Sequence, residues 1–266
     1  MCAQPRAPRP SGSRSDGQHF LKSAVLASEL VEQAHVGSSD LVVEIGAGTG
    51  ALTRPLAERA SRVIAVERDP GLARHLRARP DLRPVVQIVE ANALHVDLPD
   101  EPFRVFGNLP FSFGTRILRR LLDDVGSPLV RVDALVQLEM AQKRAAVWPS
   151  TLVSLGWLPW WEFEVVRRVP RSAFRPVPRV DAAMLAITRR SPQLLPPDRR
   201  PAFVRLVARG FGSSERPIRR TVFASSEATW RALASRRGLP RDATPPDLDV
   251  FDWVAVYRAS ARTGRG

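Results

Sequence analysis

The 266-residue chain has one cysteine, Cys2, so it can form neither an internal disulfide framework nor a thiolate metal cage. A reducing compartment follows, with the cytoplasm as the expected location and no resident metal. No uninterrupted apolar run approaches the roughly 18 to 20 residues that a membrane span requires, so the sequence does not read as a membrane protein. Residues 1 to 15 are rich in Arg, Pro and Ser without an apolar segment, and read as a disordered basic tail rather than a secretory signal. Lysine is almost missing, with Lys22 and Lys143 alone, and asparagine is confined to Asn92 and Asn108. What is present, 44% hydrophobic and 25% charged residues, is the balance of a globular chain long enough for one large domain and a small one.

The net charge of +13 is unevenly placed. Residues 1 to 166 carry 19 basic and 19 acidic side chains, whereas residues 167 to 266 carry 21 and 8. A one-sided field built from arginine suits a polyanion, because guanidinium groups fork onto phosphates and stack on bases. Codon bias accounts for arginine in place of lysine but not for the asymmetry. Nucleic acid is the leading expected partner, and an acidic membrane surface a distant second.

Helical spacing over Ser23 to His35 is followed by the apolar run Leu41 to Ile45, which ends in a glycine cluster. A helix near Ala51 to Ala60, strands at Arg62 to Val66, Val85 to Val89 and Phe103 to Phe106, and a short helix after Pro70 continue the alternation. A helix over Thr115 to Leu122 and a strand near Val130 to Leu138 complete it. The expected fold is α/β, a Rossmann-like, mostly parallel seven-stranded sheet with helices on both faces. Trp161 to Val169 and Ala182 to Thr188 read as a terminal hairpin, and Ser191 to Asp198 as a linker. The expected domains are therefore a catalytic domain over 16–190, a helical Arg-rich nucleic-acid-binding domain over 191–258, and a flexible tail over 259–266.

Glu44-Ile45-Gly46-Ala47-Gly48-Thr49-Gly50 leaves a strand and opens a helix, the context in which a glycine turn lets the backbone approach a nucleotide-like ligand. Glu67 ends the next strand, where a carboxylate can accept from ribose hydroxyls, with Arg68 beside it. Nicotinamide cofactors and S-adenosylmethionine both suit this turn. An acidic Glu44 before it favours the sulfonium cofactor over a pyrophosphate. Asn92, followed by Ala93 after the third strand, offers an amide to an adenine amine, or else bonds a turn backbone.

Asn108-Leu109-Pro110-Phe111 carries the most specific chemistry. An exocyclic amine is a poor nucleophile because its lone pair is delocalised into the base. The side-chain oxygen of Asn108 and the carbonyl of Leu109 can accept its two hydrogens and aim the lone pair at a methyl group. Pro110 holds Leu109 extended, and Phe111 offers a stacking face worth ~1 to 3 kcal/mol per base. Neither a strong general base nor a metal is needed.

These residues resemble the ribosomal RNA adenine N6-methyltransferase family, and within it the Erm methylases of macrolide, lincosamide and streptogramin B resistance. The likeness runs from about Gly17. Gly17-Gln18-His19-Phe20-Leu21 is similar to the family's opening cofactor motif, Glu44 to Thr53 to its glycine motif, Glu67 to its ribose-binding acid, and Asn108 to Phe111 to its catalytic motif. Ser172 to Asp181 is similar to its late proline-rich loop, whose aromatic, here Phe174, is implied to pack on the target base opposite Phe111. The resemblance implies S-adenosylmethionine bound by Gln18, His19, Leu21, Glu44, Gly46, Ala47, Gly48, Gly50, Glu67, Arg68, Asn92, Ala93 and Asn108. It also implies a flipped adenine of 23S rRNA as substrate. Ala141 to Arg144, Trp157 to Phe163 and Arg167 to Arg171 look like the Erm branch. His19 stands where the family usually has Asn, and Asn92 where it has Asp. The alternatives are a small-subunit rRNA dimethylase, a non-catalytic nucleic-acid-binding factor of the same fold and, from the glycine turn alone, a dehydrogenase. A monomer is expected.

Overall fold

The computed structural model describes residues 19–82, 84–148, 151–212 and 216–262. The expected tail over 1–15 and Gln18 lie outside the described residues. In chain order the elements begin with β1 (Phe20–Leu21), α1 (Ala24–Gln33), β2 (Leu41–Ile45), α2 (Thr53–Ala57), β3 (Arg62–Glu67), α3 (Pro70–Arg77) and β4 (Val86–Glu90). They continue with β5 (Phe103–Asn108), α4 (Gly114–Leu122), β6 (Leu129–Gln137), α5 (Leu138–Ala145), α6 (Leu152–Leu155), β7 (Trp161–Val169), β8 (Phe174–Arg175) and β9 (Ala182–Arg189). The helices α7 (Arg200–Phe211), α8 (Ile218–Thr221), α9 (Glu227–Arg237) and α10 (Val250–Arg262) follow.

Seven strands form one sheet in the order β4-β3-β2-β5-β6-β9-β7. β2 pairs in parallel with β3 and β5, β3 with β4 and β5 with β6, while β9 runs antiparallel to β6. The continuous apolar runs follow from this, since a central parallel strand is covered on both faces and every residue of β2 is buried. The chain reverses its direction of sheet growth between β2 and β5, the place where α/β sheets open a crevice beyond their strand ends. β1 and β8 form a separate antiparallel pair, with Phe20 opposite Arg175 and Leu21 opposite Phe174.

Local chemistry sets the helix starts. Ser23 accepts from the Leu26 amide at the head of α1, and Asp69 accepts from the Gly71 and Leu72 amides while Pro70 fills the first turn of α3. The buried guanidinium of Arg104 on β5 ties the α1 end to β6. It donates to the carbonyls of Ala34 and His35 and pairs with Asp40 and Asp133 at 2.8 and 3.1 Å.

The chain divides into two compact units, residues 1–141 with 164–188 and residues 142–163 with 189–266. The expectation of a single boundary near residue 190 is thus replaced by a division that assigns Gln142–Phe163 to the second unit. That unit has an aromatic core, with Trp157, Trp160, Trp161, Trp230, Trp253, Phe203 and Phe223 buried. Phe203 meets Trp160 and Tyr257 edge-on at 5.9 and 5.8 Å. The tail expected over 259–266 is helical as far as Arg262, and its last four residues lie outside the described set. The helix expected over Ala51 to Ala60 is only Thr53–Ala57, because the glycine turn still occupies residues 51 and 52.

Candidate active site

The carboxyl ends of β2, β3 and β5 converge on two cavities. Ile45 of β2 stands in register with Gly107 of β5, and a Cβ at residue 107 would sit 2.7 Å from the Ile45 carbonyl oxygen. Glycine there lets the two strands approach closely enough to set the glycine turn beside the Asn108–Phe111 tetrapeptide. In the turn, Gly48 has φ +57°, and a Cβ on it would fall 2.9 Å from the Phe20 ring. Only glycine satisfies both the left-handed backbone and the contact.

The larger cavity, about 620 Å³, is lined by Gly46, Glu67, Arg68, Asn92 and Ala93 among the expected residues. Its apolar wall comes from Ile45, Val66, Leu94, Phe113 and Ile117. Glu67 is 2% exposed, and its carboxylate is oriented by two main-chain donors, Gly48 N to Oε2 and Asp69 N to Oε1, both at 2.8 Å. Each oxygen retains a lone pair for a hydroxyl donor. Asn92 Oδ1 accepts from the Leu94 amide at 3.0 Å, so this side chain both forms a turn and lines the cavity.

The smaller cavity, about 380 Å³, is lined by His19, Phe20, Gly46, Gly48, Glu67 and the whole tetrapeptide Asn108 to Phe111. Gly46 and Glu67 are common to both cavities. Asn108 ends β5 rather than following it, and Leu109 N continues the ladder by donating to Leu135 O at 3.1 Å. Asn108 Nδ2 donates to the His19 carbonyl at 2.5 Å, which leaves Oδ1 as the amide's acceptor for the cavity. The His19 ring lies 5.4 Å from that of Phe111, tilted by 46°.

Four expected cofactor residues, Leu21, Glu44, Ala47 and Gly50, line neither cavity. Leu21 belongs to the hydrophobic core, and Ala47 and Gly50 shape the turn, Gly50 with φ +85°. Glu44 is wholly buried, with neither carboxyl oxygen hydrogen-bonded among the described residues. Burial pushes its carboxyl up to about 8, the adjacent Thr53 hydroxyl lowers it in part, and the charge of Glu67 adds to the rise. Near neutral pH burial therefore favours the neutral acid, and the group stands behind the turn rather than on a cavity wall.

Phe174 also departs from expectation. It is fully buried in the core opposite Leu21 and lines neither cavity, so its ring presents no open face to a base. The proline-rich loop behind it is tied down at Asp181, which accepts from the Arg171 amide and the Arg168 guanidinium. Arg168 holds the Asp181 carboxyl below its ordinary range. Sequence reasoning missed Phe113 and Leu94, whose apolar walls leave no pattern beyond their spacing after Pro110 and Asn92.

The family described as ribosomal RNA adenine dimethylase matches residues 10–256. The mycinamicin-resistance protein MyrB of Micromonospora griseorubida is 35% identical over 262 residues, covering 97% of this chain and 82% of its own. Ribosomal RNA small subunit methyltransferase A of Rubrobacter xylanophilus is 36% identical over 263 residues, covering 95% and 96%. The crystal structure of the 23S rRNA methyltransferase ErmE is similar with a TM-score of 0.81 at 27% identity, covering 91% of this chain and 99% of that one.

Proposed function

The chain belongs to the ribosomal RNA adenine dimethylase family, and from that premise we propose that it methylates N6 of an adenine in the peptidyl-transferase loop of 23S rRNA, giving resistance to macrolides, lincosamides and streptogramin B. It is an rRNA adenine methyltransferase dependent on S-adenosylmethionine. The observation that carries the reading is the Asn108 amide, fixed by a main-chain acceptor with Oδ1 left for the cavity that Phe111 also lines.

The larger cavity has the donor set this cofactor requires: an oriented carboxylate at Glu67, an amide at Asn92 and an apolar slot between Leu94, Phe113 and Ile117. When bound, S-adenosylmethionine supplies an electrophilic methyl carbon. The protein's part is placement. Asn108 Oδ1 and the Leu109 carbonyl hold the hydrogens of the target amine, and Phe111 stacks on the base. The amine's surplus proton leaves after transfer, which is why no strongly basic side chain is required beside it.

In this reading the second unit, with 18 basic and 8 acidic residues, holds the rRNA backbone. Several of its arginines serve the fold, in pairs such as Arg190 with Glu162, Arg219 with Asp242, Arg237 with Asp252 and Arg241 with Glu227. Arg205 and Arg209, one turn apart on α7 and exposed, have no acidic partner among the described residues and are the proposed phosphate contacts. The protein acts as a cytoplasmic monomer.

Likeness to the 23S rRNA methyltransferase ErmE supports 23S rRNA as the target, and likeness to the mycinamicin-resistance protein MyrB supports resistance as the outcome. The second reading, a small-subunit dimethylase, is favoured by an equally similar relative of that name. The intact tetrapeptide speaks against a non-catalytic binding factor. Primer extension on 23S and 16S rRNA treated with protein and donor separates these readings: a stop in the peptidyl-transferase loop supports the first, and a stop confined to 16S rRNA replaces it with the second.

A further inference from the structure

We propose that the imidazole of His19 is a positioning device for the catalytic amide, linking the proline-rich loop to Asn108. The inference rests on the reading of Asn108 as acceptor for the target amine. Its observation is a three-way junction at one residue. The His19 carbonyl accepts from Asn108 Nδ2 at 2.5 Å, its Nδ1 lies 2.8 Å from the Pro176 carbonyl oxygen, and its ring rests 5.4 Å from that of Phe111.

The roles at this junction follow from the groups. A carbonyl oxygen only accepts, so Nδ1 carries the proton toward Pro176. That bond extends a backbone ladder. Lys22 N donates to Ala173 O at 2.9 Å, Leu21 faces Phe174, and Phe20 faces Arg175. His19 and Pro176 lie just beyond the paired residues, and the imidazole bond joins them.

The Asn108 amide has two orientations related by a half-turn, and only one places an acceptor before an incoming amine. The acceptor-only His19 carbonyl selects that orientation, provided residue 19 is held in place. Any residue at this position supplies the carbonyl. What the imidazole adds is the tether that fixes where the carbonyl stands.

The test uses the full chain labelled with 15N only at asparagine. Asn92 and Asn108 then give two side-chain amide pairs, assigned by Asn92→Asp. His19→Phe keeps a ring against Phe111 but removes the donor to Pro176. The expected result is faster solvent exchange of the Asn108 pair, an unchanged Asn92 pair, and kcat at saturating donor and RNA lower by about five- to tenfold, as for one lost hydrogen bond. His19→Asn, whose amide nitrogen takes the place of Nδ1, restores kcat to within about threefold. The proposal is overturned if His19→Phe keeps wild-type kcat, or if kcat falls while Asn108 exchange is unaltered, or if His19→Asn does no better than His19→Phe. Should the wild-type protein methylate neither rRNA, the proposed function fails, whereas the exchange measurement still reads the link between His19 and Asn108 without turnover.

Discussion

Replacing Glu44 with Gln should abolish a large pH dependence of stability. The carboxyl is wholly buried on β2, its oxygens have no hydrogen-bond partner among the described residues, and its pKa rises from 4.5 to about 8 chiefly through desolvation. In the unfolded chain the group ionises near 4.5, whereas in the folded protein it keeps its proton to about 8. Between those values the folded state binds one more proton than the unfolded state, so stability falls as pH rises. The slope attributable to Glu44 is about 1.4 kcal/mol per pH unit, on the order of 5 kcal/mol across the whole window. Urea unfolding of the wild type and Glu44→Gln from pH 5 to 9 gives the comparison. Absolute stability is not the readout, because the amide brings its own unpaired donors into the interior. The stability of the wild type relative to the variant should decline through that window and level off above it. Parallel pH profiles would show that Glu44 ionises as freely as an exposed carboxylate, and the account of a neutral acid beneath the turn would be wrong.

Other expectations concern the chemistry. Asn108→Ala should eliminate methyl transfer while donor binding, followed by calorimetry, weakens by no more than a few-fold; parallel loss of both would assign Asn108 to the cofactor instead. Phe111→Ala should reduce transfer by about tenfold or more, in line with one stacking contact, and Phe111→Tyr much less; the reverse order in a tritiated-methyl assay contradicts stacking. Gly48→Ala forces a methyl into the Phe20 ring at a φ of +57° and should weaken donor affinity together with thermal stability, by about 1 to 3 kcal/mol in unfolding free energy. Changing Arg205 and Arg209 to Gln should lower the slope of log affinity for rRNA against log salt by about one to two in filter binding, while Arg241→Gln leaves it nearly unchanged.

Much of the site is legible because its chemistry is local. Asn108 to Phe111 is contiguous, and Gly46, Gly48 and Glu67 are spaced by a strand-turn-helix-strand unit whose geometry backbone sterics dictate. Asn92 is legible because asparagine is otherwise so scarce. Phe174 shows the limit. An aromatic in a proline-rich loop looks the same in sequence whether it faces a base or the core, and the pairing of β1 with β8 sends it inward. Glu44 shows another, since a carboxylate and a buried neutral acid are written with the same letter. The Trp157 to Phe163 run, read for its family likeness, contributes three of the tryptophans in the core of the second unit.

The chain alone determined the alternation of strands and helices, the glycine turn, the tetrapeptide and the one-sided charge, because each depends on neighbours within a few residues or on composition. Tertiary structure decided which atom of the Asn108 amide is left for the cavity, which of the arginines are already paired, and that the Glu44 carboxyl is shut away from water. Those properties arise where segments distant in sequence meet: His19 reaches across 89 residues to Asn108 and across 157 to Pro176. Orientation, pairing and desolvation are set by such contacts, and no local pattern encodes them.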